Sequence, residues 1–207
     1  MPRLSKDKDL PIAITQLRLC SALKYCGHIE VADAFDKSDE ENLYVYDNEN
    51  LGYSDWDNVE PADFISKTFN AQNPNKNTLV LLPLDGYIIT GNNIIQGGVC
   101  DCALLTDKEM SFIEFKTNVS SSSNYKTILQ RADDAGTQLW HTYNDIIQPR
   151  CKRRGVDINQ KVSLDFNIVF NQDLNVTNIQ ASLLDIQLDF LINNNYPLYF
   201  RNSKQFE

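Results

Sequence analysis

The 207-residue chain has 42% hydrophobic and 23% charged residues, a composition that predicts one soluble domain with a normal core. Its formal net charge of −9 argues against a protein that coats nucleic acid, and no apolar run of about 18 residues predicts a membrane span. We expect no secretory leader, since residues 1–10 are charged. The acidic residues are concentrated in residues 1–63, which hold 6 Lys/Arg and 14 Asp/Glu. This acidic segment could shield a site or bind a basic partner, but the favoured interpretation is that it keeps the chain soluble.

The first third of the chain gives few regular patterns. Helical spacing of apolar residues predicts a helix within residues 10–35. Residues 38–57 are acidic and aromatic and indicate a loop or short irregular strands. A proline at a first turn predicts a short helix over 61–69, followed by a polar break over 70–77.

A series of strands follows. Residues 78–83 and 87–90 are predicted strands joined by a turn, L-D-G. Residues 99–105 and 111–117 are predicted to form a hairpin around the polar T-D-K-E. A two-residue turn at Asp107-Lys108 sets the register, so that paired residue numbers sum to 215.

This register gathers two carboxylates and an amine on an apolar face. Asp101 would lie opposite Glu114, and Val99 opposite Lys116. Two carboxylates this close repel and lose solvation, and a divalent cation such as Mg²⁺ relieves both costs. A lysine beside the metal could orient or deprotonate a water for phosphodiester hydrolysis. A buried salt bridge between Lys116 and Glu114 in a structural sheet is the alternative, and the strand pattern alone does not decide between them.

Residues 125–149 form the strongest predicted helix, after a polar loop whose end can cap it. At about 100° per residue, Gln138 and Arg131 fall on one flank of its apolar stripe, from which side chains can reach over a sheet edge. Gln130 falls on the far side. The stripe consists of Ile128, Ala132, Ala135, Leu139, Tyr143 and Ile146.

A dense group of cations ends this helix. Phosphate contact along a nucleic acid and a solvated helix end, favoured by the helix dipole, are both consistent with it. We call it the basic cluster: Arg150, Lys152, Arg153 and Arg154.

The last quarter of the chain predicts a strand, a helix and a strand. Residues 162–170 alternate, with Ser163, Asp165 and Asn167 on an outward, solvated face. An amphipathic helix over 177–193 and a closing strand over 197–201 follow.

The five cysteines have no disulfide-framework spacing, which predicts reduced thiols and a cytoplasmic location. Cys100 and Cys102 would share the strand face opposite Asp101. Core thiols are favoured there over a zinc site, because the two histidines, His28 and His141, lie far away in sequence.

The segments GGVCDCAL and FIEFKT resemble the core motif of the PD-(D/E)xK nucleases, the restriction-endonuclease-like superfamily. Asp101 matches the motif aspartate, Glu114 the second acid and Lys116 the lysine, while Cys100 stands where the family often has proline. The resemblance covers residues 61–170 and implies an α/β fold with an αβββαβ core, a central mixed sheet flanked by helices. Residues 1–60 would be an acidic, partly helical N-terminal extension and 171–207 a C-terminal helix-strand extension of the same domain.

The resemblance also implies a metal site. Asp101 and Glu114 would hold Mg²⁺, with Mn²⁺ as a substitute, and the backbone carbonyl of Phe115 would be a further ligand. Lys116 would position or activate water, and Gln138 would orient Lys116 or the phosphate. An upstream acid of the family leaves three candidates here: Glu30, Glu60 and Asp63.

The function expected from the resemblance is a metal-dependent nuclease, a DNA endonuclease acting in defence or DNA processing. Arg131 and the basic cluster would contact the DNA. The alternative is a catalytically inactive nuclease-fold module that binds protein or nucleic acid within a larger complex. A homodimer or a protein partner is compatible with either, and no membrane association is expected.

Overall fold

The computed structural model describes residues 10–91, 94, 96–120, 123–175, 177 and 179–207. Residues 1–9 of the predicted extension and Asn178 of the predicted last helix lie outside this range. The helices are α1 (Ile12–Gln16), α2 (Leu19–Ala22), α3 (Val31–Ala34), α4 (Tyr125–His141), α5 (Gln148–Arg153) and α6 (Gln180–Asn194). The strands are β1 (Asp36–Ser38), β2 (Asn42–Asn48), β3 (Tyr53–Asp57), β4 (Phe69–Gln72), β5 (Leu79–Pro83), β6 (Cys102–Leu105), β7 (Glu109–Lys116), β8 (Ser163–Phe170), β9 (Leu198–Phe200) and β10 (Ser203–Gln205).

The larger sheet has six strands in the order β1-β5-β6-β7-β8-β9. The pairs from β1 to β7 are antiparallel, whereas β8 is parallel to β7 and β9 is parallel to β8. The helix α4 connects β7 to β8, as a parallel pair requires a crossover. The predicted mixed α/β class, with helices flanking a mixed sheet, is confirmed.

A second, four-stranded sheet has the order β10-β4-β2-β3. It too is mixed, because β10 runs parallel to β4 and the other pairs are antiparallel. The first third of the chain therefore contributes regular structure to both sheets, and so do the last residues.

Each face of the larger sheet covers its own hydrophobic core. Within β5, Val80 and Leu82 belong to the core on the helical side, and Leu79 and Leu81 to the core shared with the smaller sheet. A strand buried on both faces has no solvated position, and this is why β5 is apolar throughout.

Several predictions for the first half of the chain are wrong. The irregular segment 38–57 contains the regular hairpin β2–β3, and residues 87–90 form no strand, only an isolated bridge between Asp85 and Ile89. The helix predicted over 61–69 is a 3-10 turn, Ile65–Lys67, followed by β4. Phe69 instead pairs with Val45 and is fully buried between the sheets, so long-range burial overrides the local helical signal.

The helix predicted within residues 10–35 is broken into α1, α2 and α3. Arg18 and Tyr25 adopt positive φ values of 53° and 71°, which end a right-handed helix. Three of the four apolar positions that predicted this helix, Ile14, Leu17 and Ala22, are still buried, whereas the fourth, Tyr25, is exposed.

The second half agrees better with prediction. The helix over 125–149 is confirmed as α4, a π-helical turn (Thr142–Ile147) and α5, and all six residues of its stripe are buried. The strand at 162–170, the helix and the closing strand appear as β8, α6 and β9. Of the three outward residues predicted for β8, Ser163 is exposed, but Asn167 is fully buried and Asp165 bonds Arg201 and Lys204, because the C-terminal residues cover this part of the face.

All five cysteines are free of disulfide bonds and all but Cys20 are buried, as expected of core thiols. None of the helices in the described part of the chain has the length and apolar character needed to cross a membrane.

Candidate active site

The predicted hairpin register is observed in β6 and β7. Cys102 pairs with Ile113, and the Thr106 amide donates to the Glu109 carbonyl over 2.9 Å across the turn. A two-residue turn fixes the register of a hairpin, so the alternation of side chains along both strands follows from it. One residue beyond the last pair, this register brings Asp101 to the β7 strand.

The side chain and amide of Asp101 extend the hydrogen bonding between β6 and β7 beyond the last backbone pair. Its Oδ2 accepts a hydrogen bond of 2.6 Å from the Phe115 amide, and its own amide donates to Glu114 Oε2 over 3.2 Å. The two motif acids are therefore adjacent, as the register predicts.

The strand β6 is shorter than predicted, because the chain turns toward α4 before it. The Cys100 amide donates to Thr142 Oγ1 over 2.8 Å instead of pairing with β7. The predicted opposition of Val99 and Lys116 is therefore wrong, and Lys116 reaches the acids from within its own strand.

Lys116 lies between Glu114 and Gln138. Its Nζ forms an ion pair with Glu114 Oε1 and donates to Gln138 Oε1 over 2.9 Å. The side chains of Lys116 and Glu114 are 14% and 3% exposed, so the pair is nearly buried. A salt bridge alone explains the first contact. The second brings in a side chain from the flank of α4, as the resemblance implies for Gln138.

Burial sets the ionisation of the two acids. It raises the pKa of Glu114 to about 7, although the charge and hydrogen bond of Lys116 act to lower it. Burial, and then the charge of Glu114, raise the pKa of Asp101 well above its ordinary value. Burial thus favours the protonated, neutral form of both acids, and a positive charge beside them favours the ionised form.

The Gln138 side chain is held against the backbone of Gly98, a contact that the sequence did not reveal. Gly98 has a φ of +85°, and a Cβ there would lie 2.6 Å from Gln138 Cγ. His141 donates from Nδ1 to the Gly98 carbonyl over 2.8 Å, and Thr142 Oγ1 donates to the Gln138 carbonyl over 2.8 Å. These contacts fix the end of α4 against the segment that leads into β6.

Two further carboxylates lie beside Asp101. Asp47, near the end of β2, and Asp85, in the turn after β5, share with it a cavity of about 210 Å³. We call this cavity the acidic cleft. It is lined by Asp47, Glu49, Gly52, Tyr53, Ser54, Asp85 and Asp101.

The alternation of apolar Leu43 and Val45 with polar neighbours was the signal that could have placed Asp47 on an inward face. The three upstream acids considered from the sequence lie elsewhere. Glu30 precedes α3, and Glu60 and Asp63 are exposed between β3 and the 3-10 turn.

A hard cation suits the oxygens around Asp101. The Phe115 carbonyl faces Asp101, since the amide and carbonyl of a strand residue point to the same neighbour and its amide bonds Asp101. Within the described ranges, no three His, Cys, Asp or Glu side chains converge on one metal-sized position. Mg²⁺ does not require that, because it is commonly held by one or two carboxylates and retains water. Asp101, Glu114 and the Phe115 carbonyl therefore fit it.

The predicted DNA-contacting residues are not at the carboxylates. Arg150 follows Gln138 by 12 residues, which corresponds to about 18 Å along the axis at the α-helical rise, and the π-helical turn between them shortens this somewhat. Lys152 is exposed and lies 4.0 Å from Asp157. Arg131 is exposed on α4, about 10 Å from Gln138 in the other direction.

No protein-family model, no curated protein and no solved structure matches the chain. The resemblance to the PD-(D/E)xK nucleases therefore rests on the motif residues themselves. Any function must be inferred from the geometry around Asp101, Glu114 and Lys116.

Proposed function

We propose that the protein is a metal-dependent nuclease of the restriction-endonuclease-like fold that hydrolyses phosphodiester bonds in DNA. The observation that carries the proposal is the position of Lys116 Nζ, bonded to both Glu114 and Gln138 beside Asp101. Asp101 in turn lines a cleft whose other acids, Asp47, Glu49 and Asp85, are exposed, so solvent and substrate have access.

The topology supports the same proposal. Strands β5, β6 and β7 are consecutive and antiparallel, and α4 then leads to the parallel β8. This is the βββαβ portion of the core that the resemblance implies. The helix expected before it at 61–69 is absent, and the short helices α1 to α3 lie earlier in the chain, separated from β5 by β1 to β4.

Each residue of the site would have a separate role in hydrolysis. Asp101, Glu114 and the Phe115 carbonyl would hold Mg²⁺, which when bound supplies charge stabilisation at the phosphate and a more acidic water. Lys116 has three N–H donors, and Glu114 and Gln138 accept from two. The third donor can hold the attacking water or a phosphate oxygen. Gln138 keeps the ammonium group directed at that position.

The basic cluster supports a nucleic acid as the substrate, since cations contact the phosphates of DNA and RNA alike. The cations on α5 lie about 18 Å from Gln138 along the helix axis. At 3.4 Å per base pair, this distance corresponds to roughly five base pairs of a duplex. A duplex that has one phosphate at Asp101 would extend far enough to meet the cluster. Phosphate contacts of this kind position a strand without reading its sequence.

Plasmid nicking tests the proposal. With Mg²⁺ or Mn²⁺, the wild-type protein should convert supercoiled DNA to open circles, and Lys116→Ala and Asp101→Ala should each lower the rate at least about 100-fold. Lys126→Ala, which removes an exposed lysine at the start of α4, is the matched control and should nick at the wild-type rate. Equal nicking by all four folded proteins, or none by any, contradicts the proposal.

The nearly buried ion pair of Lys116 and Glu114 favours a second candidate, an inactive nuclease-fold module that binds nucleic acid or protein as a subunit. In that case Lys116→Ala should unfold the protein more easily, because it leaves Glu114 buried without a partner. DNA binding by the basic cluster would persist with no cleavage under any metal condition.

A further inference from the structure

We propose that the exposed apolar side of α6 is a dimer interface, on which a second copy of this chain packs about a two-fold axis. Self-association requires neither a metal nor DNA cleavage, so the proposal goes beyond the proposed function. It rests on the spacing of the exposed residues of α6, on the position of this helix at an open edge of the larger sheet, and on the charge and area of the exposed side.

The helix α6 is apolar on two sides. Leu183 and Phe190 are buried in the core on the helical side of the larger sheet, and Ile186 packs against that core. A second set of large apolar residues is exposed, and its spacing of four, seven and eight residues places it along one side of the helix. We call this set the α6 stripe: Leu184, Leu188, Leu191 and Ile192. A helix that is apolar on both sides is normally covered on both.

The contacts of α6 turn the stripe away from the rest of the domain. Gln187 donates from Nε2 to the Leu198 carbonyl of β9 over 2.8 Å. Ser182 bonds Tyr125 at the start of α4. At about 100° per residue, the stripe lies beyond Gln187, on the side away from Ser182. Because β9 is an edge strand, with no described strand on its outer side, the stripe faces outward where a second chain can approach.

The charge pattern favours a copy of this chain as the occupant. The charged residues of α6 are Asp185 and Asp189, which follow the stripe around the helix and lie at its rim. A nucleic acid or a protein with a charged surface would meet no complementary charge on the stripe itself. Two copies can bring two uncharged stripes together while their acids stay in water. A two-fold interface requires a self-complementary surface of this kind.

The area of the stripe is sufficient for a small dimer interface. With about 200 Å² for a fully exposed large side chain, the stripe presents on the order of 400 Å², since its residues are 45% to 73% exposed. Two copies would bury about 800 Å² of apolar surface, and because homodimer interfaces are about 65% apolar, the whole interface would cover roughly 1,200 Å². This area is at the lower end of the range for specific interfaces, so we expect a dissociation constant on the order of micromolar.

Sedimentation velocity tests the proposal without metal or DNA. The wild-type protein should change from monomer to dimer as its concentration rises from about 1 to 200 µM. Leu188→Lys and Ile192→Lys should each weaken the dimer at least about 10-fold, because each places a charge in an apolar contact. Both residues are exposed, so the monomer should stay folded.

Two exposed apolar residues elsewhere in the chain provide matched controls. Leu51 is 47% exposed, as is Leu188, and Val59 is 71% exposed, compared with 73% for Ile192. Leu51→Lys and Val59→Lys should therefore associate like the wild type. A wild-type protein that stays monomeric at about 200 µM would overturn the proposal, as would equal dimerisation of Leu188→Lys and the wild type.

Two further measurements locate the contact. Leu188 is central in the stripe and would lie near its own copy in a two-fold pair. In a Cys20→Ser background, which removes the partly exposed cysteine, Leu188→Cys should form a disulfide-linked dimer under mild oxidation, whereas Leu51→Cys should not.

Salt should tighten the dimer, since two chains of net charge −9 repel each other and the stripe contains no charged residue. Weaker association at high salt would assign the contact to ion pairs elsewhere and contradict the proposal. None of these results bears on nicking by the wild-type protein and Lys116→Ala, so failure of the dimer and failure of the nuclease proposal are distinguishable.

Discussion

Replacing Gly98 with alanine should damage both the stability of the fold and the setting of Lys116. Gly98 has a φ of +85°, a conformation that costs an L-residue about 1–2 kcal/mol. The new methyl group would also lie 2.6 Å from Gln138 Cγ and 2.8 Å from its Nε2. Overlap of that kind typically costs a further 1–3 kcal/mol, roughly, so the free energy of unfolding should fall by about 2–5 kcal/mol.

Gly155 offers a matched control for this prediction. Its φ is +79°, but a Cβ there meets nothing within 4 Å. Gly155→Ala should therefore show the conformational cost alone, about 1–2 kcal/mol. Urea unfolding of both variants separates the two contributions, because the overlap with Gln138 is the difference between them.

Activity provides the second readout. If Gly98→Ala displaces Gln138, Lys116 loses a hydrogen bond to a charged group, worth about 1.5–3 kcal/mol, or roughly 10- to 150-fold in nicking rate. Gly155→Ala should nick at the wild-type rate under conditions where both proteins are folded. Equal losses of stability in the two variants, with equal nicking, would refute the claim that Gly98 positions Gln138.

Three further predictions follow from charge. Burial raises the pKa of Glu114 from 4.5 to about 7, so the folded state binds a proton that the unfolded state has already lost between these pH values. The free energy of unfolding of the metal-free protein should therefore fall by up to about 3 kcal/mol as pH rises from about 4.5 to 7. In urea titrations, Glu114→Gln should flatten this dependence. Lys204→Ala should cost about 1.5–3 kcal/mol in urea unfolding, because it removes one of the two cations that pair with Asp165 and leaves Arg201 as the other. Burial acts to raise the pKa of Asp165, but Lys204 and the hydrogen bonds lower it on balance, so this stabilisation should diminish progressively in the wild type as pH falls below about 4. Lys152→Ala with Arg153→Ala should reduce the slope of log DNA affinity against log salt by about 2 without changing Mn²⁺ binding, and an unchanged slope would exclude the basic cluster from the DNA contact.

Local chemistry explains which parts of the fold could be predicted. The polar turn after Leu105 and the alternation on either side determine the register of the β6–β7 hairpin, and both are visible in a short stretch of sequence. The stripe along α4 is equally local, since its period is that of the helix itself. Phe69 shows the limit: its neighbours favour a helix, but its pairing with Val45 lies 24 positions away in the sequence.

The candidate site likewise has one part that the sequence predicts and one part that it does not. Asp101, Glu114 and Lys116 are within one hairpin, and Gln138 follows from the flank of the next helix, so the sequence brings these four residues together. Asp47 joins them only through the docking of the smaller sheet on the larger one, whereas Asp85 follows β5, the neighbour of β6 in the same sheet. That docking depends on Gly52 facing Gly86, a contact between two residues that no periodicity connects.

The parallel pairing of β10 with β4 has a consequence for biosynthesis. The smaller sheet is completed by residues 203–205, and Phe206 behind them is fully buried between the two sheets. The β4 strand therefore acquires its parallel partner only when residues 133 positions further along the sequence have been synthesised. We therefore expect the core between the two sheets to close late, after the strands of the larger sheet have been synthesised.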